Sequence, residues 1–283
     1  MKWTENRSDN VEDRRGRGSG GGLVGGGLIS LIIAAIVFFL GGDPSAVLNS
    51  GISSSAPTEQ RELTSEEKQI NEFIRMLTSE NERTWAKIFQ ENGMQYRPAK
   101  VVLFEQITQS GCGTAQAAMG PFYCPSDETV YMDLSFFNEL QERFGAQVTE
   151  FSVAYVLAHE MGHHVQNLLG TLQKTEQLRR SGQYSQTQMN QVSVATELQA
   201  DFYAGLWARY SDDREKFLEP GDIESAISAA QAVGDDNIQK RAQGYVNQET
   251  FTHGSSAQRK EWFLRGYQTG DIRQGNTFDQ LLR

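Results

Sequence analysis

Residues 154–167 read Ala154-Tyr-Val-Leu-Ala-His159-Glu160-Met-Gly-His163-His164-Val-Gln-Asn167. His159 and His163 stand four positions apart, hence on one face of a helix, where both imidazoles can reach a single metal ion. Glu160 follows the first of them and points to the side, toward a metal-bound water rather than toward the metal. His164 lies about 100° round the helix from His163 and cannot share that ion. The surrounding pattern predicts one helix from Thr149 to Leu169, with Phe151, Ala154, Tyr155, Ala158 and Val165 on its packing side and Gly170 ending it.

A catalytic zinc takes three protein ligands and leaves a fourth position open. Glu197 is the candidate third ligand. It falls in a helical stretch from about Gln191 to Tyr210, among Val194, Ala195, Leu198, Ala200, Phe202 and Ala204, where an acid is out of place unless it has a task. Asp201 is four residues on, so on the same face, and suits the far nitrogen of a ligand histidine. His253, in the small-residue loop Thr252-His253-Gly-Ser-Ser, is a candidate for stabilising a developing oxyanion. A loop histidine of this kind also has a plain structural reading.

Composition narrows the partners. The chain has 283 residues with 26 basic and 36 acidic ones, a net charge of −10, and no basic cluster beyond the first twenty positions. Nucleic acid is therefore not expected as a partner. The two cysteines, Cys112 and Cys124, lack the CxxC spacing of a metal site. If the domain works outside the cytoplasm, they are expected to form a disulfide.

The N-terminal sixty residues read as an address. Positions 1–22 are charged and then Gly-rich, expected as a largely disordered cytoplasmic tail. Leu23 to Leu40 carries no charge and is just long enough, at roughly 27 Å, to cross a bilayer. Lys2, Arg7, Arg14, Arg15 and Arg17 precede it, and Arg61 is the first basic residue after it, which puts the N-terminus inside. The long, mixed-charge n-region and the lack of a small-x-small site favour an uncleaved signal anchor over a cleaved signal peptide. Residues 41–62 are a Ser-, Gly- and Pro-bearing linker, and 63–283 the folded domain.

Within the domain, Thr64-Ser-Glu-Glu67 is a capping box opening a helix. A second helix is expected from about Glu80 to Glu91, strands at Lys100–Phe104 and Thr129–Leu134, and helices over 135–144, from Pro220 to near Gly234, and from Ser255 onward. The strand at Thr129–Leu134 is expected at the sheet edge, where it would hold an extended peptide.

The stretches His159-Glu160-Met-Gly-His163-His-Val-Gln, Glu197-Leu-Gln-Ala-Asp201 and Thr252-His253-Gly-Ser-Ser, with Arg259 and Trp262 downstream, resemble the bacterial family described as putative neutral zinc metallopeptidases, the YpfJ-like family. The opening Met1-Lys2-Trp3 and Asn10-Val-Glu-Asp-Arg14-Arg-Gly resemble it too, so the likeness covers nearly the whole chain. More widely, the arrangement is similar to the Glu-zincin peptidases. That resemblance implies one zinc bound by His159, His163 and Glu197, with Glu160 as general base and a peptide or protein as substrate.

The expected architecture is α+β and predominantly helical: a zincin-like metallopeptidase domain with a small sheet, preceded by one transmembrane helix. The expected location is the inner membrane, with the catalytic domain periplasmic or extracellular. The rival reading is a non-enzymatic, zinc-stabilised envelope adaptor on a protease scaffold.

Overall fold

The computed structural model describes residues 1–16, 61–116 and 119–281. It contains six short strands: β1 (Val11–Asp13), β2 (Lys100–Leu103), β3 (Ile107–Ser110), β4 (Gly113–Gln116), β5 (Phe122–Cys124) and β6 (Thr129–Met132). The helices are α1 (Ser65–Glu91), α2 (Ser135–Phe144), α3 (Glu150–Leu168), α4 (Thr171–Ser181), α5 (Gln186–Glu215), α6 (Asp222–Ala232), α7 (Asp235–Gln243), α8 (Ser256–Thr269) and α9 (Phe278–Leu281). The predominantly helical α+β class expected from the sequence is what the chain adopts.

One sheet has the order β1-β2-β6-β5, parallel except for the β5–β6 pair, and β3 with β4 forms a separate hairpin. Alternation of side chains gives the larger sheet two faces. Val101, Leu103, Val130, Met132 and Tyr123 join the main core with Phe151, Ala154, Tyr155 and Ala158 of α3. Val102, Phe104, Tyr131 and Cys124 face the other way, onto Ala115 of the hairpin. The Cys112–Cys124 disulfide is formed and ties the turn of the hairpin to the end of β5. Strand β6 lies inside the sheet, between β2 and β5, so Thr129–Leu134 is not the edge expected of it. Its four strand residues are all buried, which the β-branched run signalled without saying on which side a neighbour would pair.

The two helices expected over the first part of the domain are one, α1. The polar run Thr78-Ser79-Glu80-Asn81 is buried rather than a break. Thr78 and Asn81 hand their side-chain donors to the Ile74 and Leu77 carbonyls one turn back, at 2.8 and 3.0 Å. The capping boxes at Thr64 and Ser255 are both closed, as their sequences indicate.

The N-terminal segment departs furthest from expectation. Met1–Arg15 belongs to the same compact unit as Leu63–Arg283. Val11–Asp13 adds a parallel strand to β2, Trp3 stacks on Phe73 with centroids 5.2 Å apart, and Ser8 and Arg15 are buried. Several of its charges are paired: Arg7 with Glu72, Asp9 with Arg75, and Arg15 with Asp13 and the Glu67 carbonyl. Residues 1–15 are therefore neither disordered nor a separate tail. The stretch 23–40 read as a span lies outside the described residues. Among the described residues no helix is long and apolar enough to cross a membrane.

The core of the helical half is the crossing of α5 and α8. A Cβ built on Gly205 would come within 2.0 Å of the Phe263 carbonyl oxygen, and one on Gly266 within 2.0 Å of the Phe202 carbonyl oxygen. The two backbones touch at these glycines, and no rotamer change relieves such a contact. Gly205→Ala should cost about 3 kcal/mol, a fall of roughly 6–12 °C in Tm by thermal unfolding. An unchanged Tm would show that the helices separate easily.

Candidate metal centre

Helix α3 begins where Thr149 caps the amide of Ser152, and it carries His159, Glu160 and His163 along a largely buried face. Helix α5 passes close beside it. A Cβ on Gly162 would stand 3.0 Å from the Ala200 carbonyl oxygen, so the glycine between the two histidines lets α5 approach. That approach delivers Glu197. One ligand atom each from His159, His163 and Glu197 lies within 4.8 Å of the others, the grouping a single ion requires.

The ring orientations are fixed from behind. His159 Nδ1 is 2.8 Å from Asp201 Oδ1, and His163 Nδ1 is 2.8 Å from Gln166 Oε1. A carboxylate and an amide oxygen only accept, so each Nδ1 carries a proton and each Nε2 is left to face Glu197. His159 Nε2 is 3.2 Å from Glu197 Oε2, and His163 Nε2 is 3.5 Å from Glu197 Oε1. Two imidazole nitrogens and a carboxylate, each histidine backed by an acceptor, form a donor set that fits zinc.

Asp201 is the centre of a second network. It is fully buried and takes both teeth of the Arg259 fork, Nε at 2.7 Å and Nη2 at 2.9 Å, together with the Tyr155 hydroxyl. Burial pushes its pKa up, but Arg259 and His159 outweigh that and hold it near the bottom of the carboxylate range. The sequence pointed to Asp201. It assigned no role to Tyr155 or Arg259, which only the convergence of α3, α5 and α8 brings together. Gln166 was also missed, although its position three residues after His163 on one helix face is a usable signal.

Glu160 is buried beside the ligands without belonging to the set of three. Burial raises its pKa, while His163 and His159 and the backbone N–H of Tyr123 in β5 pull it back. Burial also opposes the charge on Glu197, but the neighbouring His163 and His159 hold that carboxyl well below its ordinary range.

His253 comes to the same region from the loop before α8. Its Nδ1 is 3.2 Å from Asp235 Oδ1, and Asp235 Oδ2 accepts the backbone N–H of Thr252, His253 and Gly254 at 2.7, 2.6 and 2.9 Å. One carboxylate thus shapes the loop and orients the ring. Asp235 raises the pKa of His253, burial opposes it, and Glu197 adds to the rise, so the ring and the third ligand lie within electrostatic reach. No spacing rule links Asp235 to His253, so the pairing is invisible in the sequence. His164 points away from the metal ligands, to Tyr123 and the Arg97 carbonyl.

Against this geometry, comparison with known proteins is direct. The family model described as "Putative neutral zinc metallopeptidase" matches residues 1–278. The chain belongs to this family. Two uncharacterised proteins named YpfJ, from Escherichia coli strains K12 and CFT073, are each 42% identical over 100% of both chains. An uncharacterised protein of Mycobacterium tuberculosis, Rv2575, is 48% identical over 62% of this chain and 61% of its own. No solved structure matches.

The metal-free site sets a proton against the ion. Burial works against a charged His159, yet Asp201 and Glu197 raise its pKa to about 10. Below that pH the ring must shed a proton before Nε2 can bind, so zinc affinity should fall about tenfold for each unit of pH lowered. A chelator-competition titration between about pH 6 and about pH 8 measures this slope; a flat profile would mean that no ligand proton is displaced. Asp201→Asn, which leaves His159 without its carboxylate, should weaken zinc binding about 10–100-fold in the same titration.

Proposed function

We propose that the protein is a zinc-dependent peptidase that hydrolyses peptide bonds, with Glu160 as general base. The observation that carries this reading is a buried carboxylate placed beside a His159–His163–Glu197 donor set but outside it. A site built only to bind zinc for structure has no use for such a group. Bound zinc supplies Lewis-acid polarisation of the scissile carbonyl. Glu160 accepts a proton from the attacking water as its oxygen bonds to the carbonyl carbon. It then gives that proton to the amine nitrogen as the C–N bond breaks. The raised pKa of Glu160 suits both transfers. His253, held by Asp235 and favoured in its charged form, donates from its far nitrogen to the oxygen on which negative charge develops.

Strand β5 takes the place first expected for β6 as the docking edge. It ends the sheet, lies next to α3, and turns the Tyr123 N–H toward Glu160. An extended peptide added along β5 passes the metal ligands. Beyond them, a cleft of about 400 Å³ lined by Asn190, Gln191, Val194, Phe251 and Gln258 begins one turn before Glu197 on α5 and gives space for substrate side chains.

The compartment in this reading is an oxidising one outside the cytoplasm, supported by the Cys112–Cys124 disulfide. Membrane attachment falls to the uncharged stretch 23–40, supported by its sequence. Deletion of residues 23–40 should move the protein from the membrane fraction to the soluble fraction, with the arm 1–15 retained. Persistence in the membrane fraction would assign attachment elsewhere.

The central test compares wild type with Glu160→Gln on casein or a peptide library, with zinc measured in both. Cleavage should fall about 10²–10⁴-fold while zinc content is unchanged. Zinc-loaded wild type that cleaves nothing would favour the adaptor reading.

A further inference from the structure

His164 is the histidine of the motif helix for which the metal centre has no use, yet it is fully buried. Its Nε2 lies 2.6 Å from the Arg97 carbonyl oxygen, and its Nδ1 lies 3.0 Å from the Tyr123 hydroxyl. A carbonyl only accepts, so the proton is on Nε2. Nδ1 is then an acceptor, and the Tyr123 hydroxyl must donate to it. The remaining lone pairs of that hydroxyl face Asn167, whose Nδ2 donates at 3.0 Å. Every bond in the chain runs in one direction, and both residues that grip the phenol sit on α3, the helix that carries Glu160.

Tyr123 is the middle residue of β5. Its side chain is held from α3, which packs against β5, and its backbone lies close enough to Glu160 to lower that carboxyl's pKa. The next residue, Cys124, faces the opposite side of the sheet and is fastened to Cys112. Among the described residues this three-residue strand has a strand neighbour on one side only, and it is fixed through both faces, which leaves its outer edge for a partner. Few backbone bonds hold an edge strand this short. The side-chain anchors therefore set its distance from the motif helix.

We propose that His164 and Asn167 are positioning residues that act through the Tyr123 hydroxyl to hold β5 at a fixed height beside Glu160. This rests on the peptidase reading for its consequence, since the height of β5 matters only if Glu160 moves a proton in a peptide laid along that edge. A misplacement of about 1 Å at such a position costs on the order of 10²-fold in rate.

The test separates the two nitrogens of His164. His164→Asn keeps an acceptor near Nδ1 for Tyr123 and loses the donor to Arg97; His164→Gln does the reverse. Tyr123→Phe removes only the hydroxyl. Each purified full-length protein, loaded with zinc, is measured for kcat on a fluorogenic peptide, for zinc content, and for hydrogen exchange of a peptide spanning 121–125. In Tyr123→Phe and His164→Gln, kcat should fall about tenfold or more. Zinc content should stay at the wild-type level, and exchange at 121–125 should quicken while that of α3 is unchanged. His164→Asn should stay close to wild type in all three. Equal losses in His164→Asn and His164→Gln, or wild-type exchange at 121–125 in Tyr123→Phe, would overturn the clamp. If the zinc-loaded wild type cleaves nothing, the peptidase reading fails, and the exchange measurement still decides the clamp.

Discussion

The candidate metal centre depends on a carboxylate that lies outside its donor set. Asp201 is completely buried, and an unpaired ion there would cost several kcal/mol. Its two oxygens are met by the fork of Arg259 from α8, the hydroxyl of Tyr155 and the Nδ1 of His159 from α3, while Asp201 itself belongs to α5. Three helices therefore share one charge. A displaced helix would leave either Asp201 or Arg259 uncompensated in the core. The geometry of the first ligand is then a consequence of packing, since His159 is aimed by the same bonds that hold the helices together. The bare backbone contact at Gly205 and Gly266 serves the same end, because it brings α8 near enough to α5 for the guanidinium to reach. A lysine at 259 would keep the charge and lose the two-toothed fit.

What the sequence made legible was periodic and local. Four-residue spacing placed His159 with His163 and Glu197 with Asp201, and the capping boxes at Thr64 and Ser255 marked helix starts that the structure keeps. What it hid depends on partners distant in the chain. Strands β1 and β5 are three residues long, too short for alternation to declare itself. Asp235 shapes the His253 loop through three backbone amides, a role that no residue type advertises. The buried polar run in α1 reads like a boundary until its donors are seen turned back onto their own helix.

The N-terminal arm shows the same limit in a sharper form. A segment rich in charge and poor in apolar residues has too little surface to bury and is expected to remain disordered. Here Arg7, Asp9 and Arg15 each meet an opposite charge, while Ser8 and Asn10 both bond to Glu82. Individually the more exposed pairs of Arg7 and Asp9 contribute little. Backbone pairing with β2 and the stack of Trp3 on Phe73 supply what the charges do not. Composition counts charges but cannot see that the complements of Arg7 and Asp9 wait about sixty residues downstream at Glu72 and Arg75.

The two sides of the centre are built for different work. On the α5 side the histidines are backed by unlike acceptors, a charged Asp201 behind His159 and a neutral Gln166 behind His163. The carboxylate makes His159 the stronger electron donor. The amide of Gln166 is itself held by the Thr196 carbonyl and by Gln199, so His163 gains direction more than charge. On this side buried polar side chains bond one another. On the opposite side stands β5, its outer edge without a strand partner among the described residues and the Tyr123 backbone near Glu160. Glu160 lies between the two, and burial sets its basicity more than any single neighbour does. A substrate strand arriving at β5 would exclude water further and raise that basicity. In the peptidase reading proposed above, occupying the edge would thereby ready Glu160 for the bond it brings.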